Sequence, residues 1–456
     1  MSLILQGGTI ITDTQKYEAD VKVVDGKIVE IGLDLSTEGS EIVPIKGCYL
    51  VPGGIDTHTH FDLDTGITVT ADDFESGTKA AVAGGTTTIL DFATQSKGQS
   101  LNDGLLEWHN KAKEKCYCDY GFHMAITDWT ENTAKEMEEM VKQGVTSFKM
   151  YMAYKNLQVD DGVIFRALKK AKELGVLIGF HCENGDVIDE LIKDCRENNQ
   201  TAPKYHPLSR PAALEAEATS RLMSIAKTAD APVYVVHLSS KKAFDEVQKA
   251  KLNGVKVFTE TCPQYLFLND ELYNLDGFEG AKYVMSPPLR KRDDSECLWE
   301  ALANGEIDTL GTDHCSFNYK GQKDIGINDF SKIPNGGPGV EHRMNLLYTY
   351  GVEKERIDIN KFVEITSTKA AKLFGMYPQK GTIQVGSDAD LVVIDPSKKS
   401  TISAANQVQN VDYTPYEGYE VSCQFRHVFL RGIEVVKDGK LIESHPIGKY
   451  LNRTVN

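Results

Sequence analysis

The chain has no Cys-x-x-Cys pair, no long apolar run and no excess of basic residues. Each absence removes a class of function. The nine cysteines are odd in number and scattered, and Cys116 and Cys118 come closest to a pair. That usage fits a reducing compartment, where cysteine serves as a small apolar side chain. Apolar stretches such as 233–236 are far too short to span a bilayer, and no basic-then-apolar leader opens the chain. The expected setting is therefore cytoplasmic, with no membrane partner. Acidic residues (66) outnumber basic ones (50), for a formal net charge of -16. A phosphate backbone needs a basic surface, so nucleic acid is not expected as a partner.

What is present falls into two textures. The 456 residues are 41% apolar and 25% charged, an ordinary globular composition. Residues 1–50 read as short β-branched strands with hairpin signals at Gly7-Gly8 and Asp25-Gly26. Residues 376–445 repeat that texture, with Lys437-Asp438-Gly439-Lys440 as a turn. Both ends together predict one smaller β-sandwich domain, followed by a short tail at 446–456. The middle, 51–375, alternates apolar strands with amphipathic helices. Strands are expected near 54–60, 86–92, 120–126, 146–152, 176–182, 232–238, 256–262 and 307–313. Helices are expected at 75–83, 134–143, 163–174, 241–252 and 295–303. Gly84, Gly144, Gly175, Gly254 and Gly305 stand where a helix end favours a left-handed residue. Eight such units predict an α/β fold, a (β/α)8 TIM barrel. An open doubly wound sheet is the alternative, but no Gly-x-Gly-x-x-Gly follows the first strand.

Reactive groups of such a barrel sit at the C-terminal strand ends. The first strand ends in Val51-Pro52-Gly53-Gly54-Ile55-Asp56-Thr57-His58-Thr59-His60, where two histidines one residue apart point to one face. Alone, the pair is a metal site or a coincidence. The fourth strand ends at Lys149, the fifth at His181, the sixth at His237 and the eighth at Asp313-His314. Besides His314, four of only eleven histidines thus occupy strand ends. Four imidazoles and a carboxylate suit a borderline divalent ion such as zinc, and five groups are too many for one open site, so two metals are expected. Lys149 is either an inward ion-paired lysine or, carboxylated at its amine, a carbamate that can bridge two metals.

These positions resemble the amidohydrolase superfamily. Within it the chain is similar to the dihydropyrimidinase and hydantoinase branch, through segments such as Phe148-Lys149-Met150-Tyr151-Met152-Ala153-Tyr154, His181-Cys182-Glu183-Asn184-Gly185, Met285-Ser286-Pro287-Pro288 and Ile333-Pro334-Asn335-Gly336-Gly337. The resemblance implies hydrolytic opening of a cyclic ureide, a dihydropyrimidine or 5-substituted hydantoin. It implies two divalent ions, zinc by the donor set, on His58, His60, Lys149, His181, His237 and Asp313, with Lys149 N6-carboxylated. It implies Asp313 as the proton carrier, Tyr154 as the oxyanion donor, and Ser286 and Asn335 as readers of the ring's amide edge. A homotetramer is implied as well. Allantoinase or dihydroorotase chemistry and a non-catalytic scaffold are the alternatives. The scaffold is disfavoured because every ligand position is filled. Dihydroorotases carry a basic residue two positions after the second histidine. Here Asp62 stands there, and an acid in a closed site would repel an anionic ring. Leu63, Met152 and the 155–159 loop are expected to shape the pocket for the ring substituent. His314 and Cys315 either hold Asp313 in place or fill the barrel, with filling favoured, and 403–419 reads as a solvated loop or a subunit contact.

Overall fold

Eight apolar segments of the middle region pair in chain order, all parallel, into one sheet. They are β1 (Gly54–Thr59), β2 (Thr86–Thr94), β3 (Asp119–Ala125), β4 (Ser147–Tyr151), β5 (Leu177–His181), β6 (Val233–Val235), β7 (Val257–Thr261) and β8 (Thr309–Leu310). Nearly all their residues are buried, as a parallel sheet covered on both faces requires. The seam closes just past β1 and β8. The His60 N–H donates to the His314 carbonyl at 2.8 Å, and the His314 N–H to the His58 carbonyl at 3.3 Å. This computed structural model describes residues 2–442 and 445–455; residues 1, 443, 444 and 456, parts of the expected β domain and tail, lie outside them.

Helices occupy the expected stretches at Phe74–Ala83, Thr133–Lys142, Asp161–Leu174, Lys241–Leu252 and Arg292–Ala303. The Asp73, Asp160 and Ser240 side chains accept from the first-turn N–H groups and fix three of the starts. Gly144, Gly175, Gly254 and Gly305 adopt positive φ after their helices, but Gly84 does not: its φ is -83°, and Gly85, at 79°, makes the turn instead.

The two chain ends build the second sheet. Its strands run Lys440–Leu441, Ile433–Lys437, Gln424–Leu430, Leu391–Asp395, Tyr49–Pro52, Ser2–Ile11, Lys16–Val24 and Lys27–Gly32 across the sheet, with Glu41–Pro44 also pairing the N-terminal strand. Leu5, Ile10, Val21, Leu50, Leu391 and Phe429 form its separate core. The mixed sheet is tied to the barrel directly, because Tyr49–Pro52 runs through Gly53 into β1. The Pro-Gly-Gly stretch is not the tight turn its composition suggests. A Cβ on Gly53 would lie 2.0 Å from Thr87 Oγ1, and one on Gly54 2.4 Å from Met344 Sδ. These glycines admit close packing rather than an unusual φ.

The 403–419 segment is only partly solvated: Tyr413, Thr414, Pro415 and Tyr416 are buried, while Asn410 and Asp412 are exposed yet bonded. Its Asn410 N–H donates to Asp72 Oδ1 at 2.8 Å, and Asp412 accepts from the Tyr319 and Lys320 N–H groups. It straps the β1-side loop to the segment after β8. The 446–455 tail lies across the N-terminal end of the barrel, where Arg453 is buried and donates to Ser147 Oγ at 2.9 Å. Among the described residues no helix is long and apolar enough to cross a membrane.

Candidate metal centre and substrate edge

His58 and His60 alternate along β1, so both rings reach the C-terminal mouth, 5.1 Å apart between centroids. Asp313 arrives from the end of β8. Its Oδ1 lies 3.2 Å from His58 Nε2 and 3.2 Å from His60 Nε2. Ligand atoms of all three lie within 4.8 Å of one another. Across the barrel, His181 Nδ1 faces His237 Nε2 at 2.9 Å. Lys149, fully buried on β4, stands over the Phe92 and Tyr151 rings at 5.0 and 5.2 Å. The six expected positions therefore do converge.

Hydrogen bonds fix which ring nitrogens are free. Glu260, at the end of β7, accepts from Thr57 Oγ1 at 2.6 Å, Tyr234 OH at 2.7 Å and the His237 N–H at 3.2 Å. His58 Nδ1 lies 2.6 Å from the same carboxylate and must donate to it. That leaves a bare lone pair on His58 Nε2, aimed at an Asp313 oxygen. Two lone pairs at 3.2 Å repel unless a cation lies between them. Likewise His181 Nε2 donates to Glu183 Oε2 at 2.8 Å, so its Nδ1 lone pair faces His237. The Nδ1 of His237 is buried without a partner among the described residues. Burial holds the His58 and His237 pKa values well below the usual imidazole range, and Asp313, despite burial, is lowered by the His58 and His60 side chains. Neutral imidazoles beside an ionised carboxylate are the donor set a divalent metal takes. Burial also pulls the Lys149 ammonium down to about 8.

The acidic supports are what the motif reading misses. Glu260 is one; Asp91 on β2 is another, accepting from Thr59 Oγ1, the Phe61 N–H and Trp108 Nε1. Glu183 is pinned by Arg210 Nη1 at 2.6 Å and, with His181, this outweighs burial and holds Glu183 at about 2. The available signal is a lone carboxylate inside a strand of apolar and β-branched residues, as in Leu90-Asp91-Phe92 and Val257-Phe258-Thr259-Glu260-Thr261. His314 is more than filling. Its Nδ1 accepts from the Gly339 and Val340 N–H groups at 3.1 and 3.2 Å, so Nε2 carries the proton toward Asp72 at 3.1 Å. Cys315 is packed under Gly336, where a Cβ would meet the Cys315 carbonyl oxygen at 2.3 Å.

The remaining residues form one wall. The Tyr154 ring lies 5.2 Å from that of His181, with the Arg210 guanidinium 5.2 Å from its own centroid. Burial raises its phenol to about 12, and its hydroxyl reaches Ser286. Ser286 Oγ donates to Asn335 Oδ1 at 3.2 Å. The main-chain N–H and C=O groups of Ser286 and Asn335 have no partner among the described residues. A run of unpaired peptide groups beside a cleft is a reading edge for another amide. Tyr154, His237 and Asp313 all take positive φ, at 70°, 40° and 52°, the kind of local strain that gathers at functional sites. Asp62, two residues after His60, is half-buried, and burial raises its carboxyl while the Lys115 charge opposes this.

A sequence profile described as the amidohydrolase family matches residues 49–435. The chain is 49% identical to the D-hydantoinase of Geobacillus stearothermophilus, over 99% of this chain and 97% of that protein. It is 45% identical to the D-hydantoinase of Streptomyces coelicolor, over 99% and 97%. The crystal structure of dihydropyrimidinase from Brevibacillus agri superposes with a TM-score of 0.99 at 48% identity, covering 100% of this chain and 99% of that one.

Proposed function

Because the chain belongs to the amidohydrolase family and is a hydrolytic enzyme of that family, we propose that it opens the ring of dihydropyrimidines and 5-substituted hydantoins, giving N-carbamoyl amino acids. The observation that carries this reading is the pairing of two features at one mouth. A cluster of ring-nitrogen lone pairs facing a carboxylate stands opposite a wall of unpaired peptide groups. Relatives named D-hydantoinase support the D-enantiomer of the substituted hydantoins.

In this reading His58, His60 and Asp313 hold one divalent ion, and His181 and His237 the other, with zinc the best match to the donors. Bound ions of this kind make water nucleophilic at neutral pH and polarise the carbonyl under attack. Lys149, whose burial lowers its amine to about 8 and so raises the neutral fraction above that of a solvated lysine, is the group that carbon dioxide would carboxylate to a carbamate able to hold the ions. Glu260 and Glu183 keep the His58 and His181 rings turned so that the correct nitrogen faces inward. Asp313 takes a proton from the attacking water on its carboxylate and returns it to the leaving ring nitrogen. Tyr154, protonated across the physiological range, donates its O–H to the developing oxyanion. The Ser286 and Asn335 main chains grip the –NH–CO– edge that hydantoin and dihydrouracil share.

The same reading takes residues 1–50 with 376–445 as one domain, 51–375 as the other and 446–456 as a tail, and the protein as a cytoplasmic homotetramer; nine free thiols and the family likeness support it. Initial rates on hydantoin, dihydrouracil, allantoin and dihydroorotate test the assignment. Turnover of the first two is expected to exceed the others. Preference for allantoin or dihydroorotate would replace it with the neighbouring cyclic-amide chemistry. Lys149→Ala is expected to be inactive and partly restored by short carboxylic acids, and full activity without them would remove the carbamate.

A further inference from the structure

We propose that Lys323 is a positioning residue for the substrate edge: its ammonium ties together the two loops that carry Ser286 and Asn335 and so sets the spacing of their peptide groups. The proposal rests on the function proposed above. Lys323 is 0% exposed and lies in the short turn Lys323–Gly326, outside the metal cluster. Its Nζ donates to three main-chain carbonyls: Val284 at 2.8 Å, Pro334 at 2.7 Å and Gly336 at 2.7 Å. Val284 stands two residues before Ser286. Pro334 and Gly336 flank Asn335 on both sides. One ammonium thus spends all three of its protons on the two loops that meet the ring. A direct bond between the loops, the Gly336 N–H to the Val284 carbonyl at 3.1 Å, completes the crossing.

Nothing else in its surroundings accounts for a charge there. Lys323 makes no ion pair among the described residues, and the aromatic face nearest its Nζ is Phe317, 5.7 Å from the ring centroid. Burial without a counter-ion pulls the Lys323 ammonium down to about 7, and an apolar side chain would fill the space at less expense; three carbonyl acceptors around Nζ are what hold the three-proton form. What methionine could not do is hold three carbonyl oxygens at one point. The clamp is itself anchored. The Lys323 N–H donates to the Asn318 carbonyl at 2.9 Å. The neighbouring Gln322 amide donates to Thr68 Oγ1 at 2.9 Å and the Val69 carbonyl at 2.6 Å, fastening the turn to the loop after β1. The gripping edge is therefore held through neighbouring carbonyls, while the Ser286 and Asn335 peptide groups themselves stay free to bind the ring.

The test uses full-length, metal-loaded Lys323→Met and Lys323→Gln. With Met, KM for hydantoin and for dihydrouracil is expected to rise together by about ten-fold, the scale of one lost hydrogen bond to a charged group. The kcat should stay within about two-fold and the metal content unchanged, since the reacting groups are untouched. Gln, which retains two donors, should recover part of the KM. A loss confined to kcat, an unchanged KM, or failure of both variants to fold would overturn the role. Wild-type protein that opens neither ring would overturn the function itself, an outcome distinct from an active wild type whose Met variant binds normally.

Discussion

At the scale of single residues, chemistry is decided by which nitrogen of each imidazole is bare. Glu260 settles that for His58, with a bond of 2.6 Å to Nδ1. Glu260→Gln keeps the volume but replaces one carboxylate oxygen by an N–H group that cannot accept. Metal affinity and kcat/KM are each expected to fall 10- to 100-fold, checked by metal analysis after dialysis and by initial rates. Unchanged affinity would mean that the ring is oriented by packing against Phe92 instead. The candidate ligands are legible in the sequence, because histidine and lysine are conspicuous at the ends of apolar strands. Their supports are not. Glu260 and Asp91 sit inside strands of apolar and β-branched residues, and only the closed barrel shows that each collects several donors. Lys323 is still less visible, since its partners are backbone carbonyls far along the chain.

At the scale of elements, the parallel order of the eight strands follows from the alternation of apolar runs and amphipathic helices, and the strand ends deliver the cluster. The strap at 403–419 does not follow from pattern, because it is irregular and held by side chains. Glu341 is one of its anchors, accepting from the Val408 and Gln409 N–H groups at 2.7 and 3.0 Å. Burial holds this carboxyl at about 7, against an ordinary value of 4.5. The folded state therefore binds the proton more tightly than the unfolded chain does. Its contribution is fully present below 4.5 and is lost as pH rises through about 7. Glu341→Gln keeps an acceptor for both N–H groups and has no charge to bury. Relative to wild type, its stability is expected to improve by ~1–3 kcal/mol between pH 5 and pH 8. Parallel unfolding curves at the two pH values would show no such difference if the carboxyl were solvated.

At the scale of the whole molecule, the two sheets meet through one buried ionic junction. Lys380 Nζ lies 2.5 Å from Asp119 at the foot of β3, and 2.6 and 3.0 Å from Asp390 and Asp388 on the mixed-sheet side. Arg431 pairs with the same Asp119. The Lys380 ammonium is raised well above its usual range, since the three carboxylates outweigh its burial. Lys380→Met strands these acids and is expected to cost about 3–5 kcal/mol in denaturant unfolding, with less loss in acid, where they take up protons. A neutral effect would show that the sheets are joined by apolar packing and the Tyr49–Pro52 continuity alone.

The central claim, that this chain activates water with two divalent ions at the β1, β5, β6 and β8 strand ends, is tested most directly by zinc titration. Chelator-stripped protein is titrated with zinc while hydantoin ring opening is followed. Activity is predicted to be absent at the start, to rise, and to level off at two equivalents per chain. Activity in the stripped protein, or a plateau at one equivalent, would contradict it.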